Sequence, residues 1–385
     1  MTSMHRGGVA IVGASETDEI GVLPNMSALE LHAQASRNAI RDAGLTTADV
    51  DGVISAGPTP IDLSHHLGIV PRWLDGTNIG GGSFMLHVRH AAAAIAAGAA
   101  DVILISHGES GRSRNGMPSY PMAPQSMGGQ FETPYGAMMP YQLFTLPALR
   151  FLHDRGMTDR ALAEVVVAQR EWAKDNPRAM KRTPVSVDEV LAGPMISDPF
   201  RKDMCCVVSD AGAAVVITSA ERAADLSSAD RAVYVLGSGE SSESTLVSQM
   251  EDAGSFAGFR RSSAEAFSTA GITHADIDHL MFYDAFAHVP LYMLEDLGFV
   301  GFGESGDFIA DGHTAPGGSL PMNTNGGGLS YTHTGMYGMF AIQEAVRQLR
   351  GEAAVQVDGI STSFVQGVGM FFAASASLIL GKDRP

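Results

Sequence analysis

The segment 321–338 combines a run of glycines with side chains that can transfer protons. It reads PMNTNGGGLSYTHTGMYG, so Tyr331 and His333 follow Gly327 and Gly328 closely. Glycine lets a backbone take a positive φ and lets another group approach it closely. An apolar, helix-like run follows at once, and a tight loop that opens a buried helix can present N–H groups to an anion. We therefore predict a ligand or oxyanion site here, with an ordinary surface turn as the alternative.

Earlier in the chain, the first glycine loop precedes a long buried helix. It reads TNIGGGSF and holds Gly80, Gly81, Gly82 and Ser83. The alanine-rich run 84–97 that follows is apolar on most sides, which is typical of a buried helix. We expect the three glycines to be positions where a ligand or another backbone approaches closely. Ser83 supplies a hydroxyl at this turn, although a serine without an adjacent base is a poor nucleophile.

Four more polar side chains follow predicted strands. Tyr283 and Asp284 come directly after one strand, and His107 and Glu109 follow another. Ligands bind at the carboxyl ends of the strands in parallel sheets, so His107 and Glu109 are candidates for a site. A tyrosine has an ordinary pKa near 10 and needs a neighbouring group to act as a base at neutral pH. Structural roles stay open for all four residues.

The overall composition excludes several classes of partner. The chain has 385 residues, of which 45% are hydrophobic and 17% charged, and its net charge is −17. This charge argues against nucleic acid or an anionic membrane as the main partner. The two cysteines, Cys205 and Cys206, are adjacent, so they predict packed core positions rather than a disulfide framework. The histidines show no metal-ligand spacing, and no membrane span or signal peptide is evident, so we expect a cytoplasmic protein without a bound metal.

The two halves of the chain repeat the same order of elements. Residues 43–51 (AGLTTADVD) and 270–278 (AGITHADID) are identical at six of nine positions. Each copy precedes a short strand, a glycine cluster, a helix and a further strand. This order indicates an internal duplication. Alternating strands and helices favour an α/β fold with mostly parallel sheets covered by helices.

The duplication divides the chain into two lobes, 1–226 and 227–385. The region 111–203 has no counterpart in the second half, so we interpret it as a helical insertion into the first lobe. It begins with a segment rich in Met, Pro and Gly, and we expect it to cover one face. Such a composition suits an apolar ligand, and a purely structural lid is the alternative.

Together these motifs resemble the thiolase superfamily, in particular its sterol-carrier or lipid-transfer branch. TNIGGGSF with DVILISHGES resembles the nucleophile loop, buried helix and following strand. FYDAFAHVP resembles the thiolase NEAFA motif, NTNGGGLSYTH resembles NGGAIALGH, and SFVQGVG, with Gly367, resembles the C-terminal cysteine–glycine motif. The resemblance covers the whole chain. It implies a duplicated five-layer αβαβα fold, a homodimer, and action on acyl-CoA thioesters, with coenzyme A as part of the substrate and no bound cofactor.

The sequence departs from the thiolase pattern at the nucleophile. A thiolase attacks with a cysteine at a helix N-terminus, where the helix dipole lowers the pKa of the thiol. The resemblance places Gly81 at that position, and the second thiolase cysteine falls near Ser363. Cysteine-based thiolysis is therefore not expected.

A tyrosine in the FYDAF context resembles the thiolase-like aldolases that cleave steroid side chains. Those enzymes cleave 3-hydroxyacyl-CoA thioesters by retro-aldol chemistry, usually with a small OB-fold partner that carries a zinc ribbon. The resemblance implies that His333 and loop N–H groups hold the enolate, and that Tyr283, or a water held by Asp284, is the base or proton shuttle. Tyr331 is a further catalytic candidate. In those aldolases a tyrosine replaces the loop histidine, whereas this chain keeps His333.

Two alternatives stay open from the sequence. The first is acyl transfer of the acetyl-CoA acetyltransferase type, for which Ser83 is the candidate nucleophile. The second is a lipid or acyl-CoA carrier, or the scaffold subunit of a two-protein complex, without activity of its own.

Overall fold

A computed structural model describes residues 6–115 and 123–385 of the chain. The strands are β1 Val9–Glu16, β2 Gly52–Ser55, β3 Trp73–Asp75, β4 Val102–Ser110, β5 Met195–Ser197, β6 Phe200–Arg201, β7 Asp210–Ser219, β8 Val233–Ser242, β9 His279–Phe282, β10 Thr362–Gly369 and β11 Ala374–Gly381. The helices are α1 Ala28–Asp42, α2 Pro60–Leu67, α3 Ser83–Ala96, α4 Met127–Phe131, α5 Pro140–Asp154, α6 Asp159–Ala173, α7 Val187–Ala192, α8 Ala220–Ala224, α9 Ala257–Ala270, α10 His288–Asp296, α11 Ser305–Ala310, α12 Gly327–Ser330 and α13 Gly338–Arg350.

Nine strands form one sheet whose order reveals the duplication. The order is β3-β2-β4-β7-β1-β8-β11-β10-β9. Outward from the β1–β8 junction, β7, β4 and β2 on one side correspond to β11, β10 and β9 on the other. A single parallel bridge from Leu280 to Met322 stands where β3 lies in the first half. The lobe boundary that we predict at 226/227 falls between α8 and β8.

The helices pack in layers around this sheet. α1 covers β1, β4 and β7 on one side of the first half, and α9 covers β8 and β11 in the second half. α3 and α13 contact strands of both halves and each other, so they form the central layer. This arrangement is the αβαβα fold expected from the sequence, and it brings the N-termini of α3 and α13 together. The mostly parallel sheet that we predict is wrong, because most strand pairs of the large sheet are antiparallel.

The repeated segments adopt the same local structure. Thr47–Asp49 and His274–Asp276 are single turns of 3-10 helix, each held by a capping box between a threonine and an aspartate. In the first copy, the aspartate side chain accepts hydrogen bonds from the N–H and the hydroxyl of the threonine and so closes the turn. A short strand follows each turn, as predicted.

The insertion is helical, as the sequence indicates. It contributes α4 to α7 and the small hairpin of β5 and β6. The packed core positions that we predict for Cys205 and Cys206 are wrong, because both residues are only half-buried. They lie in an extended segment before β7, where Cys205 forms an isolated bridge with Phe286. The N–H of Cys206 donates to the carbonyl of Ala285, which follows Tyr283. This part of the insertion thus runs along the site described next.

Candidate active site

Tyr283 and His333 form a buried pair between the two halves of the fold. The Tyr283 hydroxyl lies 2.9 Å from His333 Nε2. Tyr283 follows the last residue of β9, and its N–H donates to the carbonyl of Gln366 on β10. His333 lies in the loop before α13, and its N–H donates to Ser209 Oγ. The structure therefore brings together the two residues that the sequence favours most for chemistry.

Burial sets the protonation states of this pair. It lowers the pKa of His333 to about 4, so the imidazole is neutral at physiological pH. It raises the pKa of Tyr283 well above its ordinary value, so the phenol keeps its proton. A neutral imidazole both donates and accepts hydrogen bonds, whereas the protonated phenol is suited to donate.

The ring of Tyr283 fills the space beside Gly81. A Cβ atom built on Gly81 would lie only 2.1 Å from Cε2 of Tyr283. A Cβ on Gly338, at the start of α13, would in turn lie 2.2 Å from the carbonyl oxygen of Gly81. Glycine is therefore required at position 81 as long as the tyrosine occupies this space.

The first glycine loop packs directly on the turn between β10 and β11. Gly80 has φ +79°, and a Cβ there would lie 2.7 Å from the N atom of Met370. A Cβ on Gly367 would lie 2.6 Å from Cα of Gly82. These glycines allow main chain to meet main chain beside the space that the ring of Tyr283 fills.

Asp284 holds the second glycine loop in place. Its carboxylate accepts hydrogen bonds from the N–H groups of Gly328 and Leu329, at 2.7 and 3.2 Å. Gly327 has φ +64°, and a Cβ there would lie 2.3 Å from Asp284 Oδ2. Burial raises the pKa of Asp284 to about 8, against the lowering effect of those two N–H groups. Asp284 thus fixes the loop that carries His333.

Two of the predicted site residues are engaged elsewhere. Ser83 Oγ accepts a hydrogen bond from the N–H of Ile79 and donates one to the carbonyl of Gly80, so it closes the glycine turn. The hydroxyl of Tyr331 donates to Glu16, whose carboxylate also pairs with Arg178 and with Arg347 of α13. Tyr331 therefore points away from the Tyr283–His333 pair and into an ionic cluster.

The two cysteines and Ser363 also lie outside the pair. Burial raises the pKa of both Cys205 and Cys206, so neither thiol is activated as a thiolate nucleophile. Ser363 is at the opposite end of β10, where its hydroxyl lies 2.9 Å from His279 Nδ1. Position 363 is thus too early in the strand to stand at the site.

Glu109 and His107 reach the same loop from β4. Thr334 Oγ1 donates to Glu109 at 3.3 Å and lies 2.8 Å from His107 Nε2. The Glu109 side chain is 17% exposed, so it is not sealed from solvent. The sequence did not decide between a structural and a functional role for Glu109 and His107. Only the fold shows that the end of β4 meets the loop after His333.

An apolar groove lies between the insertion and the turn after β8. Its volume is about 680 Å³, within the usual range for small-molecule sites. The apolar side chains that line it include Met127, Phe131, Tyr135, Leu143, Leu146, Leu246 and Val247. Phe144 of α5, next to Leu143, packs against Phe286 and Phe372, which follow Tyr283 and Gly369. The wall of the groove is therefore continuous with the packing around the site.

Known proteins resemble this chain over its full length. A lyase of Mycobacterium tuberculosis, named 17-hydroxy-3-oxo-4-pregnene-20-carboxyl-CoA lyase, is 34% identical over 98% of this chain and 100% of its own. The chain belongs to the thiolase-like family. The thiolase C-terminal domain-like family also matches residues 239–382.

Two further relatives of this thiolase-like chain carry the name aldolase. The steroid side-chain-cleaving aldolase of Thermomonospora curvata is 31% identical over 99% of this chain and 100% of its own. The solved structure of the Ltp2-ChsH2(DUF35) aldolase superposes with a TM-score of 0.91 at 30% identity, covering 100% of this chain and 99% of that one. These relatives make the present chain a thiolase-like enzyme.

Proposed function

We propose that this enzyme cleaves a bulky 3-hydroxyacyl-CoA by a retro-aldol reaction. The observation that carries the proposal is the ring of Tyr283, which occupies the space beside Gly81 and positions its hydroxyl on His333. A nucleophile at position 81 and this tyrosine exclude each other sterically. The names of the full-length relatives support the same reaction class. Coenzyme A enters as part of the substrate, and no bound cofactor is required.

The proposed roles follow from the protonation states. Retro-aldol cleavage moves the electrons of the C2–C3 bond onto the thioester, which becomes an enolate. Positioned donors in a dry site stabilise such a charge. Neutral His333, N–H groups of the glycine loop at Gly80 to Gly82 and the N–H of Gly367 on β10 are suited to that task. Tyr283 is the proton donor, because burial keeps its phenol protonated.

The apolar groove supports a bulky substrate. Its lining residues are mainly aliphatic and aromatic, and Tyr135, Phe131 and Leu146 are exposed. Burial of apolar surface contributes roughly 25 cal/mol per Å² to binding. We assign the hydrophobic part of the acyl group to this groove, next to the packing that surrounds Tyr283.

Acyl transfer through Ser83 has weaker support. Its hydroxyl hydrogen is committed to the carbonyl of Gly80, 2.6 Å away. A nucleophilic serine needs an adjacent general base to take that hydrogen, and the hydroxyl instead closes the glycine turn.

A product assay by mass spectrometry tests the proposed reaction. Purified enzyme would receive a 3-hydroxyacyl-CoA, or a 3-oxoacyl-CoA together with free CoA. We expect a carbonyl compound and a shortened acyl-CoA from the hydroxy substrate only. Tyr283→Phe keeps the ring beside Gly81 but removes the proton donor, so it should lower kcat by about 100- to 10,000-fold. CoA-dependent cleavage of the oxo substrate would contradict the proposal, and no cleavage of either would favour a carrier or scaffold.

We further propose that the enzyme is a homodimer that works with a small OB-fold, zinc-ribbon partner. The exposed edge strand β3 supports self-association, since Leu74, Val70 and Ile61 leave apolar surface beside unpaired backbone groups. Light scattering should give twice the chain mass of 40.4 kDa. The assay above should therefore be run with and without a co-encoded small protein. Within the described residues no helix is long and apolar enough to cross a membrane.

A further inference from the structure

The Tyr283–His333 pair leaves one step of the proposed reaction without a residue. A base must take the proton of the C3 hydroxyl, and Tyr283 is protonated while His333 has a pKa near 4. The Asp284 carboxylate is occupied by the N–H groups of Gly328 and Leu329. A further acceptor is therefore required close to the pair.

Glu109 is placed for this step by β4 and by the loop after His333. It projects from the same face of β4 as His107, two residues earlier in the strand. A Cβ built on Gly335 would lie 2.5 Å from Glu109 Oε2, so the glycine makes room for the carboxylate. Gly335 is two residues after His333, and the Glu109 carboxylate lies close enough to Tyr283 to interact with it electrostatically.

Among the described residues, the charged and titratable groups around Glu109 do not place a positive charge beside its carboxylate. On its own strand, His107 Nε2 lies 3.9 Å away, and burial holds the pKa of His107 well below its ordinary value. Opposite β4, the neighbouring strand β7 contributes Ala211, which has no charge. After β9, the protonated phenol of Tyr283 lies within electrostatic range of Glu109. From the loop come the neutral His333, the hydroxyl of Thr334 and the N–H of Met336.

Burial therefore dominates the ionisation of Glu109. It raises the pKa of this carboxyl to about 7, against the lowering effect of the hydrogen bonds from Thr334 and Met336. A general base works best when its pKa is close to the operating pH. The 17% exposure of the side chain leaves it open to a substrate.

We propose that Glu109 is the general base of the retro-aldol reaction, acting opposite the Tyr283–His333 pair. This proposal rests on the proposed function. The carboxylate takes the proton of the C3 hydroxyl, the C3–O bond becomes a carbonyl, and the C2–C3 bond breaks with its electrons on the thioester enolate. C2 then takes a proton from Tyr283, and the proton held by Glu109 restores the phenol. Enzyme and charge return to their starting state, and no oxidant or reductant is consumed.

The test is the dependence of kcat/KM on pH for the wild-type enzyme and two variants, with a 3-hydroxyacyl-CoA. The wild type should lose activity below an apparent pKa near 7, since Glu109 must be ionised. Glu109→Gln keeps the size of the side chain but cannot accept the proton. It should lower kcat/KM by about 100- to 10,000-fold and abolish that acidic limb.

Thr334→Val is the second variant, and it removes the hydroxyl that favours the charged carboxylate. We expect its acidic limb to move to higher pH while activity above the limb is largely kept. A purely structural role for Glu109 would not shift the limb in this way. Thr334→Val also keeps the proposal testable if Glu109→Gln does not fold.

The possible outcomes distinguish a failure of the role assigned to Glu109 from a failure of the proposed retro-aldol function. If the wild type cleaves the substrate but Glu109→Gln keeps both the rate and the limb, Glu109 is not the base and the proposed function stands. An acidic limb that Thr334→Val leaves unmoved would also overturn the assignment. If the wild type does not cleave any 3-hydroxyacyl-CoA, the proposed function fails and the role of Glu109 fails with it.

Discussion

At the scale of single residues, the site is defined by steric exclusion: the ring of Tyr283 leaves no room for a side chain at position 81. The aromatic ring of Tyr283 occupies the volume into which any side chain at Gly81 would project. Gly81 has no positive φ that would by itself demand glycine. Its identity is therefore explained by its neighbour and not by its own backbone.

This steric exclusion predicts that substitutions at positions 81 and 283 have strongly non-additive effects on the stability of the fold. Gly81→Ala should destabilise the enzyme by about 1–3 kcal/mol, because its methyl group overlaps a packed ring. In a Tyr283→Ala background the same change should cost far less, since the ring is gone. Thermal unfolding of the four proteins of this double-mutant cycle measures the coupling. Equal shifts of the midpoint in both backgrounds would show that the ring does not exclude a side chain at position 81.

Tyr283 and His333 were separate candidates in the sequence, which did not distinguish them from their neighbours. Tyr331 is two residues before His333, yet the intervening turn directs it to Glu16 and the arginines. Ser83 looked free in the sequence, but its hydroxyl closes its own turn. Glu109 needed the fold, because the residues that surround it come from positions 334 to 336. Direction of side chains in irregular loops has no periodic signal in a sequence.

At the scale of elements, two glycine loops and a helical insertion build the site. The loops were predictable, because each glycine run directly precedes an apolar helix. A local signal marks the start of α1, where the Ser27 side chain caps the helix. The short strand expected after residues 43–51 is β2. The meeting of the two loops depends on the packing of α3 against α13, which no local pattern contains.

The groove of the insertion gives a prediction at this scale. Leu146→Glu places a charge in the apolar lining and should lower kcat/KM for a bulky 3-hydroxyacyl-CoA by about tenfold or more, equivalent to at least about 1.4 kcal/mol of binding. A short-chain substrate should be affected little. Leu149→Glu is the matched control, because Leu149 is also exposed on α5 but does not line the groove. Equal losses of kcat/KM with both substrates would show that the groove does not bind the hydrophobic part of the acyl group.

At the scale of the whole molecule, the core carries an unsatisfied histidine. His288 is fully buried, and neither ring nitrogen has a hydrogen-bond partner. Its neighbours are aromatic rings whose centroids lie between 5.1 and 6.3 Å away, from Phe144, Phe200, Phe286, Tyr292 and Phe372. A buried polar group without partners costs about 1–3 kcal/mol. Burial also lowers the pKa of His288 to about 3.

Replacement of this histidine should stabilise the fold, and more so in acid. In the unfolded chain His288 is protonated below its ordinary pKa of 6.5, whereas in the folded chain its pKa is about 3. Between these two values only the unfolded chain binds the proton. Folding stability of the wild type therefore falls relative to His288→Leu as pH falls through this window, by about 1.4 kcal/mol per unit. The midpoint of His288→Leu should exceed that of the wild type at pH 8 and by a larger margin at pH 5.5.

The exposed His153 supplies the control for this comparison. Its side chain is 84% exposed, so His153→Leu should change the midpoint little at either pH. A margin for His288→Leu that does not grow in acid would contradict the link between burial and protonation at this position.

We propose that cleavage proceeds through a thioester enolate without a nucleophilic cysteine. The most direct measurement is cleavage of a 3-hydroxyacyl-CoA in D₂O with no added CoA, with the shortened acyl-CoA analysed by mass spectrometry. We predict one deuterium at C2 of that product and a rate of cleavage that does not depend on free CoA. A product that forms only when free CoA is added, or that contains no deuterium, would contradict it.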